Sequence, residues 1–571
     1  MRWGLSLVPA IAVWLAAAPV WAAGPATSTP PAPPSSADLV GDYLAGRAAQ
    51  ATRDFPAAAA WYEKAMALDP QAPELISRTF LMEVSVGRFD RAKQLAEQEL
   101  KLDPSDALAE LVRLVDRLKA NDAAGALKFA TALPGDGIHR FIGPLALAWT
   151  RMAAGDLAGA DTALQGLDKF NGFQLVKTFQ LGLLYDFGGK PDKAEDYYNK
   201  ALATGEQLNW RVVDVVANFH TRRGHADKAK ELYQRFLQQN SSSELAQSVL
   251  ASRAAGTPPA SIRSPADGLA EALFDLASVL NQAETIDLSL VYDRFALALR
   301  PDFPLAQLLL ADVLSAENKP DQSLAVLGTI PANSPYSWSA RLRMAINLDT
   351  LDRTDEAIAK LKEMIAEKPQ WAGANIELGD LFRAKKRFGE AVEAYDQAMQ
   401  RIAAAGLPER WVLFYDRGVA LERTGQWDRA EADLQHALQM KPDQPLVLNY
   451  LGYSWIDRGV NLDQGLEMIK KAVQLRADDG YIVDSLGWAY YRLGDYEKAT
   501  ENLEKAIELV PEDPTINDHL GDAYWRIGRL VEARYQWKRA LQFGPEKDEV
   551  KPIEAKLENG LNARATPPRG G

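Results

Sequence analysis

Apolar residues recur at steps of three and four positions through almost the whole chain after residue 38. This spacing places them on one face of an α-helix and predicts amphipathic helices. In residues 484–511, two such patterns follow one another, with Gly494 and Asp495 between them. The pattern therefore predicts units of two helices joined by a short turn.

The two-helix units repeat with a nearly constant period. The landmarks of residues 484–511 return 34 residues later, so that Gly487, Gly494 and Ala499 match Gly521, Gly528 and Ala533. Units begin at 39, 73, 107, 141, 175, 210, 270, 304, 338, 372, 411, 445, 480 and 514. Allowing for one extra residue near Val460, the twentieth position of every unit is small: Ala58, Ala92, Ala126, Ala160, Ala194, Ala229, Ser289, Ser323, Ala357, Ala391, Ala430, Gly465, Ala499 and Ala533. Small residues at the eighth and twentieth positions allow the two helices of a unit to approach closely. Proline at the thirty-second position ends the second helix, because it cannot continue the backbone hydrogen bonding.

This pattern resembles the tetratricopeptide repeat (TPR), and the resemblance covers nearly all of the chain after residue 38. It implies an all-α fold of helix-turn-helix repeats stacked into a right-handed superhelical solenoid. Departures from the period suggest the organisation of the chain. We expect a signal peptide over 1–22, a Pro/Ser-rich linker over 23–38, an amino-terminal block of about six units over 39–243, a linker with a partial helix over 244–269, a carboxy-terminal block of about eight units over 270–547, and a capping helix with a disordered tail over 548–571.

The amino terminus has the composition of a signal peptide. A basic start at Arg2 precedes an almost wholly apolar run over 3–18, and Val20 and Ala22 are the small residues that a cleavage site needs. We expect cleavage between Ala22 and Ala23, export, and a soluble periplasmic chain without an integral membrane segment. The alternative is an uncleaved anchor that tethers the chain to the inner membrane, because the apolar run is near the lower length limit for a span.

Composition and motifs argue against several classes of function. A net charge of -13 disfavours a nucleic-acid partner, since phosphate binding needs a basic surface. The chain has no cysteine, and its five histidines are scattered over four units without the spacing of metal ligands: His139, His220, His225, His436 and His519. Phosphate-binding glycine loops and nucleophile elbows are also absent from the sequence. We therefore expect no enzymatic activity, no metal and no cofactor.

The TPR resemblance also implies a binding surface. In that family the second, fifth, ninth, twelfth and thirteenth positions of a unit line a concave groove for proteins or peptides. In the last units these residues are Asn449, Tyr453, Tyr481, Asp484, Trp488, Tyr491, Arg492, Asp518, Asp522, Trp525 and Arg526. Tyr, Trp and Arg are the residue types that most often anchor interfaces. The alternative is that Trp488 and Trp525 pack against neighbouring first helices.

Residues 445–545 also resemble a group of bacterial envelope TPR proteins, in the strings LNYLGYSWIDRG, DSLGWAYYRLGDYEKA and DHLGDAYWRIGRLVEARYQW. That group includes the adaptor lipoprotein of a periplasmic carboxy-terminal processing protease, although this chain lacks a cysteine for a lipid anchor. The resemblance implies a non-catalytic scaffold or adaptor whose partners are other proteins, such as an envelope protease and its substrates. The alternative is a structural subunit of a secretion or polysaccharide-export assembly.

Export gives a first testable prediction. We expect the protein isolated from its native envelope to have the mass of a chain that begins at Ala23, as measured by intact-protein mass spectrometry. Recovery of an intact Met1 terminus would instead favour the membrane anchor.

Overall fold

A computed structural model describes residues 36–561, apart from 136, 138, 241–242 and 254–257. The expected signal peptide, its cleavage site at Ala22 and Ala23, most of the segment 23–38 and the tail from 562 onward lie outside the described residues. Thirty α-helices and one short 3-10 helix, without a strand, make up the regular structure of the described part. This confirms the all-α prediction.

Contacts between backbone positions divide the chain into two compact units, residues 1–109 and 110–571. The described part of the first unit contains two helix pairs: α1 (Ser36–Ala51), α2 (Phe55–Leu68), α3 (Pro73–Val86) and α4 (Phe89–Leu102). Asp54 caps α2 by accepting a hydrogen bond from the backbone N–H of Ala57, at 3.3 Å. Gly87 ends α3 in the left-handed conformation that favours glycine.

The division between the units falls within α5 (Ala107–Lys119), and the second unit continues with helices that mostly follow in pairs. Its first part contains α6 (Ala123–Ala132), α7 (His139–Ala153), α8 (Leu157–Gln165), the 3-10 helix (Gly166–Lys169), α9 (Gln174–Phe187), α10 (Pro191–Leu202), α11 (Trp210–Arg222), α12 (Ala226–Gln239), α13 (Glu244–Arg253), α14 (Pro265–Val279), α15 (Ile286–Leu299), α16 (Pro304–Ala316), α17 (Pro320–Leu327), α18 (Ser337–Thr350) and α19 (Thr354–Glu367). Its second part contains α20 (Gly373–Ala384), α21 (Phe388–Ala404), α22 (Trp411–Arg423), α23 (Trp427–Met440), α24 (Pro445–Arg458), α25 (Leu462–Leu475), α26 (Gly480–Leu493), α27 (Tyr496–Leu509), α28 (Pro514–Arg526), α29 (Leu530–Gln542) and α30 (Lys547–Asn559).

The repeat register predicted from the sequence agrees with the helix positions. Helices α22, α24, α26 and α28 begin at 411, 445, 480 and 514, as the spacing predicts. Every small residue at a twentieth position is buried. A Cβ atom added at Gly487 would lie 2.6 Å from Cγ of Leu503, and one added at Gly521 would lie 2.5 Å from Cδ1 of Trp537. The eighth position must therefore be small because the second helix of the same unit packs directly against it.

The segment 244–269 lies inside the second compact unit, and hydrogen bonds hold its helices to neighbouring repeats. The Glu244 carboxylate on α13 accepts hydrogen bonds from Nε1 of Trp338, at 2.7 Å, and from the backbone N–H of Gly373. Helix α14 begins five residues before the predicted unit start at 270, because the Ser264 side chain caps it and Pro265 occupies its first turn.

Helix α14 packs against α7 and α9 through polar groups that are hydrogen-bonded inside the core. Gln180 accepts a hydrogen bond from Nε1 of Trp149 and donates one to Asp275, both at 2.8 Å. Burial raises the pKa of Asp275 well above its usual range. The fully buried Glu271 binds the Arg211 guanidinium with two hydrogen bonds, one of them 2.6 Å long, and the two residues are 60 positions apart. Helix α14 is thereby joined to α7, α9 and α11.

No helix in the described ranges combines the length and the apolar composition that a membrane crossing requires.

The register predicts the cost of enlarging a twentieth-position residue. Ala499 is fully buried, and its carbonyl oxygen lies 3.2 Å from the Cβ position of Gly487. We expect Ala499→Leu to lower the free energy of unfolding by about 1–3 kcal/mol, because the added carbons cannot fit between the two helices. Lys498→Leu on the same helix is the control. Lys498 is exposed, so we expect this change to alter the free energy of unfolding by no more than about 0.5 kcal/mol. Equal effects of the two variants in a urea titration would contradict this register.

Candidate functional site

The predicted groove residues lie on the first helices of the last three repeats, in the second unit. Asn449 and Tyr453 lie on α24. Helix α26 carries Tyr481, Asp484, Trp488, Tyr491 and Arg492, and α28 carries Asp518, Asp522, Trp525 and Arg526. Their spacing of three or four positions within a helix directs them to one side of it. Helix α26 packs against both α24 and α28, so these sides adjoin.

A stack of flat side chains forms the centre of this surface. The Trp488 ring stacks on the Tyr491 ring with centroids 4.6 Å apart, and on the His519 imidazole with centroids 3.9 Å apart. Trp488 and Tyr491 are half-buried, so part of each ring remains open to solvent. Tyr453, also half-buried, lies near enough to Asp484 and Arg492 for their charges to act on its hydroxyl. We call Tyr453, Trp488, Tyr491 and His519 the aromatic face.

The sequence pattern does not predict His519 as a groove residue, yet it is a central member of this face. Its Nδ1 lies 3.0 Å from Oδ1 of Asp484. Burial alone would lower the pKa of His519, but the charge of Asp484 and the hydrogen bond between them raise the pKa above its usual value. Asp484 therefore stabilises the imidazolium form of His519 relative to a free imidazole. The signal in the sequence is its place in the next repeat, one position after Asp518, the equivalent of Asp484.

Other polar contacts also join one repeat to the next. The Arg492 guanidinium binds the Asp457 carboxylate and donates to the Asp457 carbonyl oxygen, at 2.9 Å. Nε of Arg526 donates to the Tyr491 hydroxyl at 3.2 Å. The Asn449 amide donates to the Ser485 hydroxyl at 3.2 Å, whereas the buried Asn449 carbonyl oxygen has no hydrogen-bond partner within the described chain. The two predicted arginines are thus held by side chains of the preceding repeat.

Helix α30 and the glycine that follows it cover three of the predicted groove residues: Asp518, Asp522 and Trp525. Nζ of Lys556 lies 2.6 Å from the Asp518 carboxylate and 2.9 Å from the Asp522 carboxylate. Asp522 also accepts a hydrogen bond from Nε1 of Trp537, at 2.9 Å. The Trp525 ring packs so tightly on Gly560 that any Cβ atom there would overlap it. In this structure Asp518, Asp522 and Trp525 therefore face a helix of the same chain.

The exposure of the predicted residues differs along the surface. Tyr481 is 59% exposed, whereas Asp484 and Asp522 are buried. Within the residues that the structure describes, no group of His, Asp and Glu has the arrangement of a metal site. The surface offers half-open aromatic rings bordered by Arg492 and the exposed phenol of Tyr481, which is a chemistry suited to binding polypeptide.

The ion cluster under α30 predicts a pH-dependent loss of stability. Burial raises the pKa of Asp522 to about 6, while the charge of Lys556 opposes that rise. We expect Lys556→Met to lower the free energy of unfolding by about 1–3 kcal/mol at pH 8, since it leaves the buried Asp522 and half-buried Asp518 carboxylates without their cation.

The loss should shrink as the pH falls below 6. Without Lys556 the pKa of Asp522 rises further, and a protonated carboxyl needs no cation. Urea titrations at pH 5 and pH 8 would measure this, with Lys551→Met on the exposed side of α30 as the control. A loss that is equal at both pH values would contradict the assignment.

Four family models of this repeat match the chain. They are described as a tetratricopeptide repeat over residues 179–203, a tetratricopeptide repeat-like domain over 304–414, a tetratricopeptide repeat over 415–480 and a TPR repeat over 487–528. All four ranges fall within the second unit.

Curated relatives match parts of the chain. The TPR repeat-containing protein PA4667 of Pseudomonas aeruginosa is 33% identical over 155 residues, which are 27% of this chain and 26% of the relative. The human tetratricopeptide repeat protein 13 is 26% identical over 232 residues, 40% of this chain and 26% of the relative. The chain thus spans about a quarter of the length of these relatives.

Two solved structures illustrate the structural likeness. The hetero-tetramer Cut9–Hcn1 of the APC/C contains a chain that aligns with a TM-score of 0.40 and 15% identity, over 92% of this chain and 96% of that chain. A tetratricopeptide repeat protein from Parabacteroides merdae aligns with a TM-score of 0.37 and 16% identity, over 45% of this chain and 99% of that chain. The repeat register, the packing of its small positions and the matching family models agree that this chain contains tetratricopeptide repeats.

Proposed function

We propose that this protein is a non-catalytic adaptor of the bacterial cell envelope that binds other proteins through the aromatic face. TPR arrays are protein-interaction scaffolds because stacked repeats present long continuous surfaces. In the proposed role the chain is exported to the periplasm and holds an envelope protease or the substrates of that protease.

The observation that carries this proposal is the half-open stack of Trp488, Tyr491 and His519. Large rings left partly exposed at the centre of a surface offer apolar area with few rotatable bonds, which is the composition of interface anchors. The rings are also preorganised, since His519 is fixed by Asp484 and Tyr491 by Arg526. A partner that lies on them does not have to order these side chains.

The proposed envelope location and the proposed protease partner rest on the sequence. The amino terminus has the composition of a signal peptide, and the strings within 445–545 resemble the group that includes a protease adaptor. The absence of cysteine makes the proposed form a soluble one without a lipid anchor.

Photo-crosslinking in the native envelope can test both the surface and the partner. Tyr481, beside the aromatic face, and Tyr535, on the second helix α29, are each 59% exposed and are therefore matched sites for a photoreactive phenylalanine. We expect the probe at 481 to crosslink a protease or its substrates, identified by mass spectrometry, and the probe at 535 to give no such product.

An anchor variant completes the test. In the protein with the probe at 481, Trp488→Ala should weaken binding by about 2 kcal/mol, or about 30-fold in Kd, and reduce the crosslinked product accordingly. Circular dichroism would establish that this variant remains folded. Crosslinks to trans-envelope assembly components would support the structural-subunit alternative instead, and a product unaffected by Trp488→Ala would place the partner elsewhere.

A further inference from the structure

A cavity of about 330 Å³ lies in the second unit, away from the aromatic face. Its walls come from the first halves of α9 and α11, the second half of α14 and the start of α16. Ser278 and Val279, at the end of α14, are both exposed and form part of the lining, so the cavity opens to solvent there. The volume is at the lower end of the range for small-molecule sites.

Most of the lining is apolar. Three of its side chains are aromatic: Phe179, Trp210 and Phe274. Aliphatic surface comes from Leu175, Val176, Val212, Val279 and Leu305. The faces of aromatic rings attract cations, most strongly where water is excluded. These walls therefore suit a ligand that has an apolar body and carries a positive charge.

Asp275 is the acidic group of the lining. One of its carboxyl oxygens accepts the hydrogen bond from the Gln180 amide, at 2.8 Å. Within the part of the chain that the structure describes, no Lys, Arg or His forms an ion pair with Asp275. The second carboxyl oxygen is therefore available to a cation that enters the cavity.

The arginine of the lining is already engaged by other carboxylates. The Arg211 guanidinium binds Glu271 with two hydrogen bonds and lies 3.3 Å from the Asp214 carboxylate. Arg300 lies 3.8 Å from Glu271. Two arginines thus face Glu271 and Asp214, and Asp275 is a third acid beside them. Burial and the negative charge of Glu271 raise the pKa of Asp275, and a bound cation would favour its ionised form.

The same arrangement disfavours other classes of ligand. An anion would find no unengaged cation in the lining, because Glu271 and Asp214 hold Arg211. A divalent metal ion needs several oxygen ligands, and no group of His, Asp and Glu among the described residues has the arrangement of a metal site. A single carboxyl group among aromatic rings is instead the chemistry that binds an organic ammonium ion.

We propose that this cavity binds a small organic amine with an apolar body, such as an arylalkylammonium ion. The ammonium group donates to the Asp275 oxygen that Gln180 leaves open, and the body contacts Phe179, Phe274 and Val279. This site is independent of the function proposed above, because it shares no residue with the aromatic face.

Calorimetry with the full chain can test the proposal, using 2-phenylethylamine as the probe and 2-phenylethanol as its uncharged analogue. At pH 8 we expect the amine to bind about tenfold or more tightly than the alcohol, because only the ammonium forms a charge-assisted pair with Asp275. The affinity for the amine should fall as the pH is lowered from 8 to 5, since a proton competes with the ammonium for the carboxylate. The affinity for the alcohol should not change in this way.

Matched variants separate the charge from the space. Asp275→Asn keeps an acceptor for Gln180 and should make the amine and the alcohol bind equally, without pH dependence. Asp227→Asn, exposed at the start of α12 and outside the cavity, should preserve both differences. Ser278→Trp places a large ring at the exposed opening and should abolish binding of the amine, while circular dichroism establishes that the variant remains folded.

Several results would overturn the proposal. They are the absence of amine binding, equal binding of amine and alcohol at pH 8, and binding of the amine that survives Ser278→Trp. Tighter binding of acetyl-lysine methylamide than of 2-phenylethylamine would also overturn it, because the cavity would then accept a lysine side chain of a polypeptide rather than a small amine.

Discussion

The buried pair of Arg211 and Glu271 is the interaction on which the second unit depends most. Regular repeats position one another through neighbour contacts, but residues 244–264 interrupt that sequence of contacts. What places α14 is therefore a set of long-range bonds. The fully buried Glu271 is stabilised by two hydrogen bonds from Arg211 and by the Arg300 guanidinium, 3.8 Å away. Removing one partner of such a pair leaves an uncompensated charge, at a cost of about 3–5 kcal/mol. The repeats from α14 onward are stacked on that helix, so this pair and Gln180 help to place them relative to α7–α12. The hydrogen bonds of Tyr336 with Asp214 and of Trp338 with Glu244 contribute to the same placement.

The aromatic face rests on a different constraint, the repeat period itself. Asp457 meets Arg492, Tyr491 meets Arg526 and Asp484 meets His519, each across 35 residues. The period brings equivalent or adjacent positions of successive repeats close together, so every such contact is a link between adjacent first helices. These links fix the side chains before any partner arrives. The same period keeps the eighth and twentieth positions small, so the chemistry of the face and the packing beneath it have a common origin.

The sequence predicted what depends on local spacing. The starts of α22, α24, α26 and α28 follow from proline and from the apolar period, and the burial of Ala499 and Ala533 follows from the register. What depends on distant segments could not be read in the same way. Lys556 and Gly560 lie in a polar terminal stretch, and nothing in their own neighbourhood indicates that they contact Asp518, Asp522 and Trp525. Glu244 looks like an ordinary surface acid until folding brings it to Trp338, 94 residues away.

Besides covering the last repeat, helix α30 contacts the surface of the first helix α28 as a bound helix would. Lys556 of α30 meets two aspartates, and Gly560, directly after the helix, allows the Trp525 ring to approach the backbone closely. The protein thus carries, within its own chain, an example of a helix bound to its last repeat. The spacing of the Lys556 ammonium group and the Gly560 backbone is a structural template for designing a helical ligand of the proposed surface.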